Sequence, residues 1–309
     1  MNTSEPIVFF GNERLATGFT TEVPPLRRLI AAGYTIAAVV TNYEVGRSRS
    51  VRELEVAAVA KAHHIPLIIN EKPGAIIRQL QSYQAIAGVL VAYGQIVPQN
   101  VIDIFPRGII NIHPSLLPLH RGPTPIESAI LQGDSQTGVS LMQLAKAMDA
   151  GPVYVQQPID LNGSETKMGL TKQLLDLGGD LLIKHLPAIL SNSLIPTPQD
   201  NTVATYDQLI AKEDGAINWT KPAIQLEREI RAYAVWPKSK VSLNGLEAII
   251  TKAHVVNISG IVSSPTIIDR KPTYICGEQA LAIDIIKPAG KKEMTGEAFL
   301  AGYKRALGL

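Results

Sequence analysis

Asn111 and His113 are the two side chains whose types and spacing first suggest chemistry. They follow the apolar pair Ile109-Ile110 and precede a proline-rich segment, which predicts a strand that ends in a constrained loop. Residues two apart in an extended chain project from the same face, so an amide donor and a titratable base would lie side by side. The ends of strands are also where the active sites of open α/β sheets lie.

A carboxylate that could complete this pair is Asp149, which follows in a breaker-rich loop between two later predicted strands. Loops of neighbouring strands can meet at the same edge of a sheet. A histidine beside a carboxylate is a base with a fixed tautomer, and an amide nearby can stabilise an oxyanion. The sequence therefore predicts an acid–base site, with an ordinary structural role for each of these residues as the alternative. The other five histidines lack this context.

The predicted site lacks a nucleophile of its own. Ser115 is the only hydroxyl close in sequence, and it does not belong to the G-x-S-x-G turn that exposes a catalytic serine. This absence favours a reaction in which the substrate itself attacks.

Composition limits the class of protein. A chain of 309 residues with 46% hydrophobic and 18% charged residues predicts two globular domains. Neither a signal peptide nor a membrane-spanning segment is expected from the sequence, and its one cysteine, Cys276, fits a reducing cytoplasm. No His/Cys cluster has ligand spacing, so no metal is expected.

The elements that must position the site alternate between strand and helix over the first half of the chain. Strands are expected at 7–11, 34–41, 65–69, 85–91, 108–112, 137–144 and 153–158, with intervening helices and a long helix at 166–192. This alternation predicts a doubly wound, mostly parallel sheet, a Rossmann-like α/β fold. The loop Gly11–Gly18 has neither the dinucleotide nor the phosphate-loop pattern, which argues against a nucleotide-dependent oxidoreductase.

A polar segment punctuated by proline separates this α/β region from a different architecture. We expect a first domain at 1–192, a linker at 193–206 and a second domain at 207–309. After a helix at 223–232, short strands at 240–243, 248–253, 261–262, 273–275 and 280–286 predict a small β-barrel of the oligonucleotide/oligosaccharide-binding (OB) type.

The net charge of +2 is unevenly distributed. Residues 207–309 contain 14 Lys and Arg against 11 Asp and Glu, as expected if this region meets an acidic partner. Arg47 and Arg49, in the loop Asn42–Ser50, could also contact a polyanion. A solvated basic surface is the alternative in both places.

The motifs together resemble the folate-dependent formyltransferases. The resemblance rests on Asn111–Pro118, on Arg121-Gly122 with Pro125, and on Asp149-Ala150-Gly151-Pro152. Further segments resemble the branch of that family that acts on methionyl-tRNA: Ile217-Asn218-Trp219, Gln225–Glu227, Ile230–Ala232, Trp236-Pro237, Pro288–Met294, Phe299 and Gly302-Tyr303.

The resemblance implies formyl transfer from 10-formyltetrahydrofolate to the α-amine of methionine on initiator tRNA. By the same resemblance, Asn111, His113 and Asp149 are catalytic, and the attacking group is the amine of the substrate. The implied folate contacts are Val91, Tyr93, Gly94, Gln95, Ser115, Leu116, Leu117 and Pro118, the first four through their backbone. The implied tRNA contacts are Arg47, Arg49, Lys287, Lys291, Lys292, Lys304 and Arg305. A monomer is expected.

One feature departs from the family pattern. The tRNA-acting enzymes usually carry a strongly basic loop after the second strand, whereas Asn42–Ser50 offers only two arginines. Two alternatives therefore stay open: a formyltransferase acting on an amino-sugar nucleotide, and a noncatalytic RNA-binding protein on an enzyme scaffold.

Overall fold

The computed structural model describes residues 5–12, 22, 24–42, 54–69 and 72–308. The described chain forms two compact units. The first lies within Met1–Pro125, Gln136–Asp160 and Thr171–Leu209, and the second within Ile126–Ser135, Leu161–Leu170 and Ile210–Leu309. The domain limits expected from the sequence remain a proposal.

The first unit is built on a seven-stranded sheet with the strand order β3-β2-β1-β4-β5-β6-β7. Its strands are β1 (Ile7–Gly11), β2 (Ile36–Thr41), β3 (Leu67–Ile69), β4 (Ala87–Val91), β5 (Ile109–His113), β6 (Gln136–Gln143) and β7 (Val153–Asp160). The four pairings from β3 to β5 are parallel, and the two that add β6 and β7 are antiparallel. β1, β4 and β5 are buried along their whole length, as expected of strands covered on both faces.

The helices of this α/β region alternate with the strands. They are α1 (Pro24–Ala31), α2 (Glu55–Ala62), α3 (Ile77–Ser82), α4 (Gln99–Ile102), α5 (Pro125–Gln132) and α6 (Lys167–Leu190). The mostly parallel, Rossmann-like fold predicted from the sequence is therefore confirmed. No helix in the described ranges is long and apolar enough to cross a membrane. Among the described side chains, no group of three or more His, Cys, Asp or Glu could hold a metal ion.

The second unit contains a six-stranded antiparallel sheet. Its strands are β8 (Ser239–Leu243), β9 (Leu246–Val256), β10 (Pro265–Ile268), β11 (Lys271–Ile275), β12 (Ala280–Pro288) and β13 (Met294–Thr295), and its helices are α7 (Ala223–Ala232) and α8 (Gly296–Tyr303). The order is β10-β11-β12-β9-β8, with β13 paired to β12. Asn244 and Gly245 both have positive φ angles, which suits the tight hairpin between β8 and β9.

One predicted strand of this unit is wrong. Residues 261–262 lie in a turn, and the strand begins at Pro265. The apolar pair Ile261-Val262 favoured a strand, but the Ile261 side chain is 82% exposed and its carbonyl accepts a hydrogen bond from the Ser264 amide at 3.0 Å. Hydrophobicity without a buried face does not define a strand.

Candidate active site

The side chains of Asn111 and His113 lie on one face of β5, because they are two residues apart in an extended strand. Both residues are buried, each with 5% of its surface exposed. On either side of Asn111, the strand register places Leu90 of β4 and Met142 of β6. The rigid centre of the sheet therefore fixes the pair that the sequence predicted.

Asp149 reaches His113 by a route that the sequence did not indicate. β6 is antiparallel to β5, so the loop after β6 begins beside the start of β5, where the Leu144 amide donates to the Ile109 carbonyl at 2.7 Å. The loop then returns along the sheet. Asp149 Oδ1 lies 3.8 Å from His113 Nδ1, and both side chains are largely buried. The predicted triad member is therefore next to His113.

The second ring nitrogen of His113 has a fixed partner. Its Nε2 lies 2.9 Å from the backbone carbonyl oxygen of His120. A carbonyl only accepts hydrogen bonds, so Nε2 carries the hydrogen in this contact. Nδ1 is then the atom that can gain or lose a proton beside Asp149.

The stretch Ser115–Pro118, predicted to line a ligand pocket, is held by two residues that the sequence analysis missed. Ser140 of β6 donates from Oγ to the Ser115 carbonyl at 2.7 Å and accepts from the Leu117 amide at 3.0 Å. Gln156 of β7 donates to the Leu117 carbonyl at 2.7 Å and to Ser140 Oγ at 2.8 Å. Only cross-strand register reveals these partners, since Ser140 lies opposite His113.

Ser115 itself is not placed as a nucleophile. Its side chain is buried, and its Oγ donates to the Leu119 carbonyl at 2.7 Å. This hydrogen bond closes the turn that follows β5. The geometry agrees with the inference that the attacking group comes from the substrate.

The predicted contact segment Val91–Gln95 follows β4, the parallel neighbour of β5, so both segments leave the same edge of the sheet. Ala92 and Gly94 have positive φ angles, which makes this a tight turn with accessible backbone. The Tyr93 side chain points into the core, edge-on against Phe10 with ring centroids 5.6 Å apart. Only its backbone remains available to a ligand.

The expected linker contributes to the site. The His120 amide donates to Thr205 Oγ1 at 2.7 Å, and His120 Nδ1 lies 3.1 Å from Asp207 Oδ1. The backbone of Arg121 forms a parallel bridge with Tyr206, through hydrogen bonds to Thr205 and Asp207, the residues on either side of Tyr206. Proline and polar composition pointed to a free linker here, but these hydrogen bonds attach the segment to the loop after β5.

The residues predicted to contact tRNA fall into two groups. Arg47 and Arg49 lie outside the described residues. The second group is exposed throughout and consists of Lys287, at the end of β12, and the later Lys291, Lys292, Lys304 and Arg305. The sheet register adds one cation that the sequence analysis missed: Lys240 of β8 and Lys287 of β12 flank Ile249 of β9 in one cross-strand row. Side chains in such a row project from the same face.

Comparison with known proteins identifies the class. Residues 26–186 match the formyl transferase family, and residues 209–304 match the formyl transferase C-terminal domain. Two solved structures share the fold. One is an N-formyltransferase from Helicobacter canadensis in complex with folinic acid and dTDP-3-aminofucose, with a TM-score of 0.67 and 20% identity over 90% of this chain and 98% of that chain. The other is HypX from Aquifex aeolicus in complex with tetrahydrofolic acid, with a TM-score of 0.64 and 14% identity over 95% of this chain and 46% of that chain.

Sequence relatives narrow the class. The methionyl-tRNA formyltransferase of Chloroflexus aurantiacus is 38% identical over 304 residues, which cover 96% of each chain. The chain belongs to the methionyl-tRNA formyltransferase family.

Proposed function

We propose that this protein transfers the formyl group of 10-formyltetrahydrofolate to the α-amine of methionine on initiator tRNA. The observation that carries the proposal is the pair of buried residues Asn111 and His113 with Asp149 beside His113, in a chain of this family. Formylmethionyl-tRNA and tetrahydrofolate are the products. The reaction needs no nucleophile from the protein, in agreement with the placement of Ser115.

The amine nitrogen attacks the formyl carbon and forms a new C–N bond. The carbonyl oxygen becomes an oxyanion, which the Asn111 amide and a protonated His113 stabilise. The bond from the formyl carbon to the folate nitrogen then breaks. The protonated His113 gives its Nδ1 proton to the departing folate nitrogen and then takes up the proton lost by the amine, while Asp149 balances the charge of the ring. An α-amine with an ordinary pKa near 7.7–8.0 is partly neutral at cellular pH, so positioning and charge stabilisation are the main tasks.

The folate is proposed to lie between the two segments that leave the same sheet edge. The backbone of Val91–Gln95 would hold the pterin, and Ser115–Pro118 would line the rest of the pocket. The exposed lysines of the second unit would contact tRNA phosphates, which position a nucleic acid without specifying it. A cytoplasmic monomer fits this activity.

Formylation of defined acceptors tests the proposal. The protein is incubated with 10-formyltetrahydrofolate labelled in the formyl group and with either Met-tRNA or a dTDP-amino sugar, and the label on each amine is counted. Label on Met-tRNA is expected, with turnover reduced by orders of magnitude in His113→Ala. Label on the sugar alone, or on neither acceptor, would contradict the proposed function.

A further inference from the structure

We infer that Gln199, a residue of the expected linker, is a positioning residue that holds Asp149 beside His113. This inference rests on the proposed function, because it concerns a partner of the proposed catalytic carboxylate. It starts from the backbone of Asp149, whose φ of 47° is left-handed. Such a conformation is uncommon for a residue with a side chain and persists only where its surroundings impose it.

Strand geometry does not impose this conformation, because the Asp149 loop leaves β6 at the far end of β5 from His113. In our inference, two hydrogen bonds from Gln199 impose this conformation instead. Its Nε2 donates to the carbonyl of Asp149 at 2.8 Å and to the carbonyl of Gly151 at 2.7 Å. Both hydrogens of the amide are therefore used on the turn that carries the carboxylate.

Arg121 fixes the orientation of the Gln199 amide. The Gln199 Oε1 accepts from Arg121 Nε at 3.1 Å and from Nη2 at 2.8 Å. A flipped amide would direct its NH₂ group at the guanidinium and its oxygen at two carbonyl oxygens, which is repulsive on both sides. Arg121 is itself 1% exposed and is bonded to Asn201 Oδ1 at 2.7 Å and Tyr206 OH at 2.8 Å.

The residue after Arg121 holds the other end of Asp149. The Gly122 amide donates to Asp149 Oδ2 at 2.8 Å, which leaves Oδ1 directed towards His113. Asp149 is thus held through its backbone by Gln199 and through its carboxylate by Gly122. The turn is also pressed against β6, because a Cβ atom at Gly151 would lie only 1.9 Å from the Gln143 carbonyl oxygen.

Two substitutions separate positioning from simple stabilisation. Gln199→Leu removes all four hydrogen bonds of the amide. Gln199→Glu keeps the shape and a partner for the buried Arg121, but it turns a donor into an acceptor facing two carbonyl oxygens. Gln157→Leu, at an exposed position on β7, is the matched control.

We expect both Gln199 variants to lower kcat by roughly ten- to a hundredfold, as a misplaced catalytic group does. KM for folate and for Met-tRNA should stay within about threefold of the wild-type values, because Gln199 is not proposed to touch either substrate. Gln199→Glu should unfold at a temperature no lower than that of Gln199→Leu, because it keeps a partner for the buried Arg121, and still be slow. Gln157→Leu should match the wild type.

A second measurement uses Asp149→Asn as the background. If Gln199 acts through Asp149, Gln199→Leu should reduce kcat by less than about threefold in that background, because residues that act as a unit are not additive. Equal losses in both backgrounds, or wild-type kcat in Gln199→Glu, would overturn the inference. Wild-type turnover of Asp149→Asn alone would instead remove the proposed role of Asp149. Absence of formylation by the wild-type protein would reject the proposed function itself.

Discussion

His113 Nδ1 and Asp149 Oδ1 lie 3.8 Å apart, although the loops that follow their strands leave the sheet at opposite ends. The separation is slightly too long for a hydrogen bond and short enough for a strong charge interaction in a buried site. The pair therefore places a carboxylate beside the ring nitrogen to which the proposed mechanism assigns the proton transfer.

Replacing Asp149 by Asn should lower kcat by about 10² to 10⁴, the range in which positioned acid–base groups act. The carboxamide keeps the size of the side chain but removes the charge that balances a protonated His113. KM for folate should change little. Steady-state formylation kinetics measure both quantities, with Asp160→Asn on the exposed end of β7 as the control. Near-normal kcat would exclude Asp149 from the mechanism.

Replacing Tyr93 by Phe should protect the protein at alkaline pH. Burial raises the pKa of Tyr93 to about 12 from the ordinary value of 10.0. The folded state therefore retains the phenol proton between those values while the unfolded state loses it, so stability falls as pH rises from 10 towards 12. Tyr93→Phe removes this contribution.

Urea unfolding at pH 8 and pH 10.5 tests this prediction. Because no described residue bonds the buried Tyr93 hydroxyl, the Phe variant should be at least as stable as the wild type at pH 8. Tyr83→Phe is the control, because Tyr83 is partly buried against the hydrophobic core that contains Tyr93. An equal loss of stability between the two pH values in wild type and Tyr93→Phe would contradict the prediction. KM for folate should be unchanged, since only the backbone of Tyr93 is proposed to contact the ligand.

Binding of tRNA should weaken steeply with added salt, whereas folate binding should barely change, because only the tRNA releases condensed counterions. Lys291→Gln combined with Lys292→Gln should reduce the slope of log K against log salt by roughly 1.5 to 2, if both lysines meet phosphates. Filter binding over a salt series measures the slope. Lys172→Gln with Lys184→Gln, two exposed positions on α6, removes the same charge elsewhere. Equal slopes for the two double variants would exclude this basic segment from the tRNA contact.

Replacing Lys167 by Met should strongly destabilise the second unit. Lys167 and Glu127 form an ion pair with each side chain only 2% exposed. Removing the lysine leaves a buried carboxylate, a loss of about 3–5 kcal/mol. Lys167→Met combined with Glu127→Leu should cost less than Lys167→Met alone, because no buried charge remains.

Urea unfolding of the single and double variants measures these losses. Asp180→Asn, which weakens an exposed ion pair of Arg28 in the first unit, should cost less than about 1 kcal/mol. A double variant less stable than Lys167→Met would contradict the argument.

The sequence by itself determined the features that depend on local periodicity. Asn111 and His113 share a face because the two-residue repeat of a strand is encoded in the chain itself, and the alternation of strand and helix patterns predicted the mostly parallel sheet. The family resemblance supplied the role of Asp149.

The tertiary structure alone decided how distant segments meet. The antiparallel direction of β6 starts the Asp149 loop at the end of β5 that lies far from His113, and the carboxylate beside His113 accepts a hydrogen bond from Gly122 while its backbone accepts one from Gln199. The tertiary structure also placed the His120 carbonyl beside the His113 ring. It likewise decided that residues 126–135 and 161–170 belong to the second unit. Composition could not predict these features, because they depend on strand direction, on the path of the loops and on hydrogen bonds that local periodicity does not encode.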